Sequence, residues 1–143
     1  MIDVYATDGT FADPGSLAQR LAETLMRIEE VPPLPMFRHN TAAFVHGLPD
    51  GAIANVAAES DYVRVQVLTN LGALDRAKQL AVVEQFTEIV ADGAGRPELK
   101  ERTWVLLTEA VDGGWGLWGH AHTNAELAAA ARAEAAKLSR GDA

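Results

Sequence analysis

Three groups of side chains in this chain combine reactivity with a usable position. Arg64 stands in the alternating run Val63 to Val67. A guanidinium there has the fork geometry to hold a carboxylate through two parallel hydrogen bonds. Pairing with Asp3 or Glu109 is an equal use for it, and both readings stay open. Arg38 and His39 form a cationic pair ahead of a second strand-like run, His46 ends that run, and each has a bland alternative as a solvated loop residue or a satisfied histidine. His120-x-His122 has a spacing that some metal sites use, but a site needs three or four converging ligands. No third histidine or carboxylate is read beside the pair, so no metal is expected.

The rest of the composition narrows the chemistry. The 143 residues suit one domain with a real core, 48% of them are hydrophobic, and there is no cysteine. A disulfide framework and a thiolate metal site are thereby excluded. The formal charge of -8 argues against nucleic acid or an anionic membrane as partner, because neither attracts an acidic surface. No apolar run reaches spanning length and no signal-like segment opens the chain, so a cytoplasmic protein is expected.

These residues need a scaffold. Ile2, Val4 and Ala6 alternate with polar neighbours, the period of a strand. Asp13-Pro14 then reads as N-cap and first helical residue, with Leu17, Leu21, Leu25 and Ile28 on one face. Val31 to Pro35 carries three prolines and reads as a stiff connector. Thr41 to His46 reads as a second strand, closed by Leu48-Pro49-Asp50-Gly51. Val63 to Val67 is a third strand. Asp75 caps a second long helix, with Leu80, Val83, Thr87 and Val90 inward and Gly93 and Gly95 as the stop. Thr103 to Glu109 is a fourth strand, apolar enough to be covered on both faces. Thr123-x-x-Glu126 is a capping box for an alanine-rich helix ending near Ser139, and 140–143 reads as a frayed tail.

The two halves repeat. The offsets 75 − 13 for the capping aspartates, 103 − 41 for the strand-opening threonines and 112 − 50 for the Asp-Gly turns are all 62. The strand valines Val4 and Val65 lie 61 apart. A tandem pair of βαβ units (1–60 and 61–120) is the economical reading, with 121–143 as a terminal helix and tail of one 143-residue domain. The fold class expected is α/β (α+β): a four-stranded mixed sheet with both helices on one face, plus a C-terminal helix. Each unit should have parallel strands with a right-handed crossover. The helices leave one sheet face bare, which predicts a homo-oligomer.

The segment "DGGWGLWG" (112–119) follows the fourth strand. Its glycines serve a turn and close backbone approach, and Trp115 and Trp118, an odd number apart, should point to opposite faces of an extended ribbon. A ribbon lying on a neighbouring subunit and lending it an aromatic wall is the expected use.

"YVRVQVLTNLGALDRAKQLAVVEQFTEIV" (62–90) and "RTWVLLTEAVDGGWGLWG" (102–119) resemble the start and end of a unit of the tautomerase superfamily, in its 4-oxalocrotonate tautomerase-like, fused form. "IDVYATDGTFADPGSLAQRLAETL" (2–25) is similar more loosely. The resemblance implies a homotrimer of fused subunits and a keto-enol tautomerase acting on a small carbonyl or enol carboxylate, without a cofactor. It also implies an N-terminal proline as base, in an apolar pocket at the start of the first strand. Residue 2 is Ile2, so either the natural chain starts upstream with Met-Pro, or the proline is absent and Met1 supplies the amine. On this reading Met1 and Arg64 are the catalytic groups. Ile2, Arg38, His46, Trp104, Leu106 and Trp115 contact substrate. The loop "TNLGALD" (69–75) lacks the arginine pair of the dehalogenase and decarboxylase branches, which puts those reactions in doubt. The alternatives are a catalytically silent member, and a ferredoxin-like ligand-binding or monooxygenase domain. The latter pairs its strands antiparallel as a dimer, and the 62-residue register argues against it.

Overall fold

The computed structural model describes residues 1–141. Strand β1 (Ile2–Thr7) leads to α1 (Pro14–Glu29), a short α2 (Pro35–Asn40) and β2 (Ala43–Leu48). The second half gives β3 (Val63–Asn70), α3 (Arg76–Ala94), a 3-10 turn (Pro97–Glu101) and β4 (Thr103–Ala110). A hairpin of β5 (Trp115–Leu117) and β6 (His120–His122) and the helix α4 (Asn124–Ser139) complete the chain. The sheet order is β2-β1-β3-β4, parallel within each half and antiparallel where β1 meets β3, with Val4 opposite Val65. The tandem βαβ arrangement and its mixed sheet are therefore as expected, and an all-antiparallel ferredoxin-like pairing is not what the chain forms.

Alternation fixes which side of each strand is covered. Ile2, Val4 and Ala6 from β1 and Val63, Val65 and Val67 from β3 are buried beneath α1 and α3. Asp13 caps α1 by accepting from the Ser16 N–H at 2.9 Å, and Asp75 caps α3 by accepting from Lys78 N–H at 2.9 Å. Each such cap is worth about 1 kcal/mol. Leu17, Leu21, Leu25 and Ile28 face inward as the periodicity demands.

The inward stripe of α3 is different from the one expected. Val82, Phe86 and Val90 are fully buried, whereas Leu80 is 54% exposed and Val83 38%. Phe86 is the largest fully buried side chain, and seating its ring rolls the helix away from the Leu80–Val83–Thr87 line. Gly93 does not end the helix. It lies within α3 where a Cβ would meet Leu17 Cδ1 at 3.1 Å, so it marks a close approach of the two helices. Gly95, at φ 64°, is the stop.

The connector 31–35 gives way to α2, with Pro35 in its first turn, where the missing N–H costs nothing. Thr41 consequently caps α2, and β2 begins at Ala43. Pairing of Ile2 with Ala43 and of Val63 with Thr103 makes the second strands equivalent at an offset of 103 − 43 = 60, not 62. The longer β4 restores 62 at the Asp-Gly turns, where Gly51 and Gly113 both have positive φ.

β4 is not covered on both faces within the chain: Trp104 is 41% exposed and Leu106 45%. They share the bare face with Asp3, Tyr5, Arg64 and Gln66, as its strand neighbours require. No helix among the described residues is long and apolar enough to cross a membrane. Of the terminal tail, Arg140 and Gly141 follow α4, and 142–143 lie outside the described residues.

Candidate active site

The start of β1 and the end of β3 meet at one edge of the helix layer. The Met1 amino group donates to the Leu68 carbonyl at 2.8 Å, and the Leu68 N–H returns to the Met1 carbonyl at 2.8 Å. This continuation of the β1–β3 ladder fixes the amine at the floor of a cavity of about 310 Å³. Leu25 and Glu29, on the last turns of α1, form one wall. Met36, Phe37 and Asn40 of α2 form another, and Trp115 and Leu117 of β5 stand across from them with Leu127 of α4.

The loop 71–73 closes the remaining side. Gly72 takes φ 75°, a conformation glycine adopts without strain, and its N–H donates to Glu109 Oε1 at 3.0 Å. Asn124 reaches from α4 to the Leu71 carbonyl at 2.9 Å, while its own N–H is held by Asp112 Oδ1 at 2.7 Å. Glu109 thus anchors the loop rather than orienting an arginine. At the other end of α4, Glu134 accepts from the Met36 N–H at 3.1 Å, tying that helix to α2. The Thr123–Glu126 capping box is formed as expected.

Two ionisable groups face this space. Burial lowers the pKa of the Met1 amine, against opposing attraction from Glu29 and Asp3. Burial also raises the pKa of Glu29, against the amine and Lys78. Desolvation therefore moves both toward their neutral forms and outweighs their mutual attraction. Lys78, from α3, spends its charge on the Glu30 carboxylate at 3.0 Å and the Glu29 backbone carbonyl at 3.2 Å. An amine shifted toward its free base and a carboxyl shifted toward its free acid, lining one cavity, pair a candidate proton acceptor with a candidate proton donor.

Of the residues singled out from the sequence, the structure brings together Met1 and Trp115. The Ile2 side chain lies in the core, 0% exposed. Arg64, His46, Trp104 and Leu106 lie on the bare sheet face, away from the cavity. There Arg64 donates to Gln66 Oε1 at 3.0 Å and lies over the Tyr5 ring. His46 contacts Asp3 at 2.7 Å and stacks on Tyr5, and Trp104 stacks on Tyr62. Arg38 is exposed and borders a separate groove between α1 and β2. His120 meets Glu126 at 3.3 Å, a carboxylate that the sequence reading left out of range.

The ribbon departs from expectation at its tip. Trp118 and Gly119 both have positive φ and make the two-residue turn of the β5–β6 hairpin, so Trp118 sits at the tip and not on a strand face. Trp115 walls a cavity of its own chain. The residue that sequence reasoning missed is Glu29. Its signal was present: it follows Leu21 and Leu25 at the same four-residue step, a carboxyl continuing an apolar stripe.

No protein-family model matches the chain, and no curated protein does. Solved structures do. N1, of the cis-3-chloroacrylic acid dehalogenase family, is 22% identical, with a TM-score of 0.70 over 89% of this chain and 87% of its own. F6 fused 4-OT, an asymmetric trimer, is 18% identical, with a TM-score of 0.71 over 88% of this chain and 97% of its own. Malonate semialdehyde decarboxylase is 16% identical, with a TM-score of 0.64 over 85% of this chain and 93% of its own.

The fold of this chain is the one these tautomerase-superfamily proteins share.

Proposed function

We propose that this chain is a tautomerase-superfamily enzyme that interconverts keto and enol forms of a small carbonyl compound, with the Met1 amine as base. The observation that carries the reading is the amine itself, fixed by the Leu68 ladder in an apolar cavity where burial lowers its pKa. A neutral amine near a substrate α-carbon takes its proton, and polar groups around the carbonyl oxygen stabilise the developing enolate. Trp115 and Leu25 exclude water from the transfer. The chain acts as one domain of residues 1–143. Three copies associate through the bare sheet face, which would bury Trp104 and Leu106; F6 fused 4-OT, of the same fold, is a trimer. Arg64 then serves the subunit seam rather than the cavity of its own chain.

A second reading, a protein of this fold without the chemistry, is favoured by Ile2 standing where a proline is usual and by the loop 69–75 without arginine. Selective acylation of the N-terminal amine separates the two. The enzyme reading expects exchange of α-protons for solvent deuterium, and its loss by at least about 100-fold on acylation, the usual size of a general-base contribution. Exchange that is absent, or indifferent to acylation, selects the second reading.

A further inference from the structure

Glu29 faces the cavity, and a base role for Met1 leaves its carboxyl unused. It stands in the wall beside the amine, on the last turn of α1. The helix ends there because Glu30 turns into the left-handed region at φ 60° and its N–H closes on the Arg27 carbonyl at 3.2 Å. Lys78 holds that corner from α3, through Glu30 and the Glu29 carbonyl. Among the described residues, the polar groups of this chain that complete the lining are uncharged: Asn40, Thr41, Asn70 and Asn124.

We infer that the cavity selects an uncharged ketone or aldehyde over a carboxylate, and that Glu29 is the group that addresses the carbonyl oxygen. This deepens the tautomerase reading and rests on it. A carboxylate brought into this space meets no side-chain cation of this chain's lining, and burying an unpaired anion in a partly desolvated site costs far more than burying an uncharged carbonyl. An uncharged carbonyl meets no such barrier. Its oxygen accepts the Glu29 proton while its α C–H bond breaks. The proton passes to the amine, the C–H electron pair becomes the C=C bond, and the C=O π pair becomes the new O–H bond. The products are enol, ammonium and carboxylate. Proton return from the ammonium to the carboxylate restores both neutral groups, so the cycle needs no co-reactant.

Phenylacetone and phenylpyruvate test this, because they differ in carrying a methyl or a carboxylate beside the same carbonyl. Binding is measured by calorimetry and turnover by deuterium exchange at the benzylic carbon, on the unmodified protein. The expected result is that phenylacetone binds on the order of tenfold tighter or more and exchanges faster. Glu29→Gln should lower its exchange about 100-fold while leaving the binding preference in place, because the amide gives up no proton and is as uncharged as the acid it replaces. Tighter binding of phenylpyruvate, or binding of neither compound, overturns the inference. Phenylpyruvate preferred and exchanged would do so while leaving the tautomerase reading standing. Phenylacetone preferred but not exchanged would sustain the selectivity and remove the tautomerase reading.

Discussion

Sixteen residues beyond each capping aspartate, the two halves differ in one side chain: Glu29 in the first (29 − 13) and Ala91 in the second (91 − 75). Ala91 is 3% exposed and part of the core, and Glu29 faces the cavity. The strand entrances differ in the same sense. β1 opens at Met1, whose amine borders the cavity. β3 is entered through Asp61 and Tyr62, and that approach is closed by an ion pair between Arg96 and Asp61, a stack of Tyr62 on Trp104, and Arg102 lying over Tyr62. One module thus appears twice, once sealed and once left open. The scaffold is the part held in common; the chemistry lies where the copies depart from each other.

Transplanting the difference should break the comparison most severely. Ala91→Glu would place a carboxyl in the packed core without the cavity that Glu29 has. About 3 kcal/mol of destabilisation is expected, read from urea unfolding. A loss below 1 kcal/mol would show the second half to be as open as the first. The capping aspartates test the shared scaffold. Asp13→Ala and Asp75→Ala should each cost about 1 kcal/mol, alike within error, because each accepts one N–H in the same geometry. A much larger effect in one half would refute their equivalence.

The finest test is pH dependence. Burial raises the Glu29 pKa above its ordinary value. Its contribution to stability is therefore complete in acid, below the unfolded-state value, and is lost as pH rises through the raised folded value. Glu29→Gln removes that titration. The variant should match the parent in acid and become the more stable of the two as pH climbs through that window, followed by urea midpoints. A constant gap between them would place Glu29 in an ordinary aqueous setting.

Much of this was legible in the residues. Strand alternation, both aspartate caps, the capping box and the halves' common plan are local patterns, and local physics enforces them. The inward face of α3 was not, because Phe86 and Leu80 are both apolar and only the seating of a ring in the partner layer decides between them. α2 was hidden by its prolines, which forbid a helix interior yet suit its first turn. The cavity was legible in part. Trp115 was singled out by its odd setting among glycines, whereas Arg64 and His46 were singled out by side-chain chemistry and Trp104 by the resemblance, and all three lie on the other side of the sheet. Glu29 was overlooked because a charged residue at a helix end is normally solvated, and the walls that desolvate it come from α2 and the hairpin, remote in sequence.

The antiparallel seam between β1 and β3, with Val4 facing Val65, has a consequence for connectivity. Residues 49–62 join the halves with local contacts such as those of Asn55 with Ala57 and Glu59, and with side-chain contacts of Asp61 and Tyr62 to the second half, and contribute no strand. A protease nick in that segment severs the covalent tie yet leaves every rung of the seam, so the two fragments remain paired as complementing halves of one sheet.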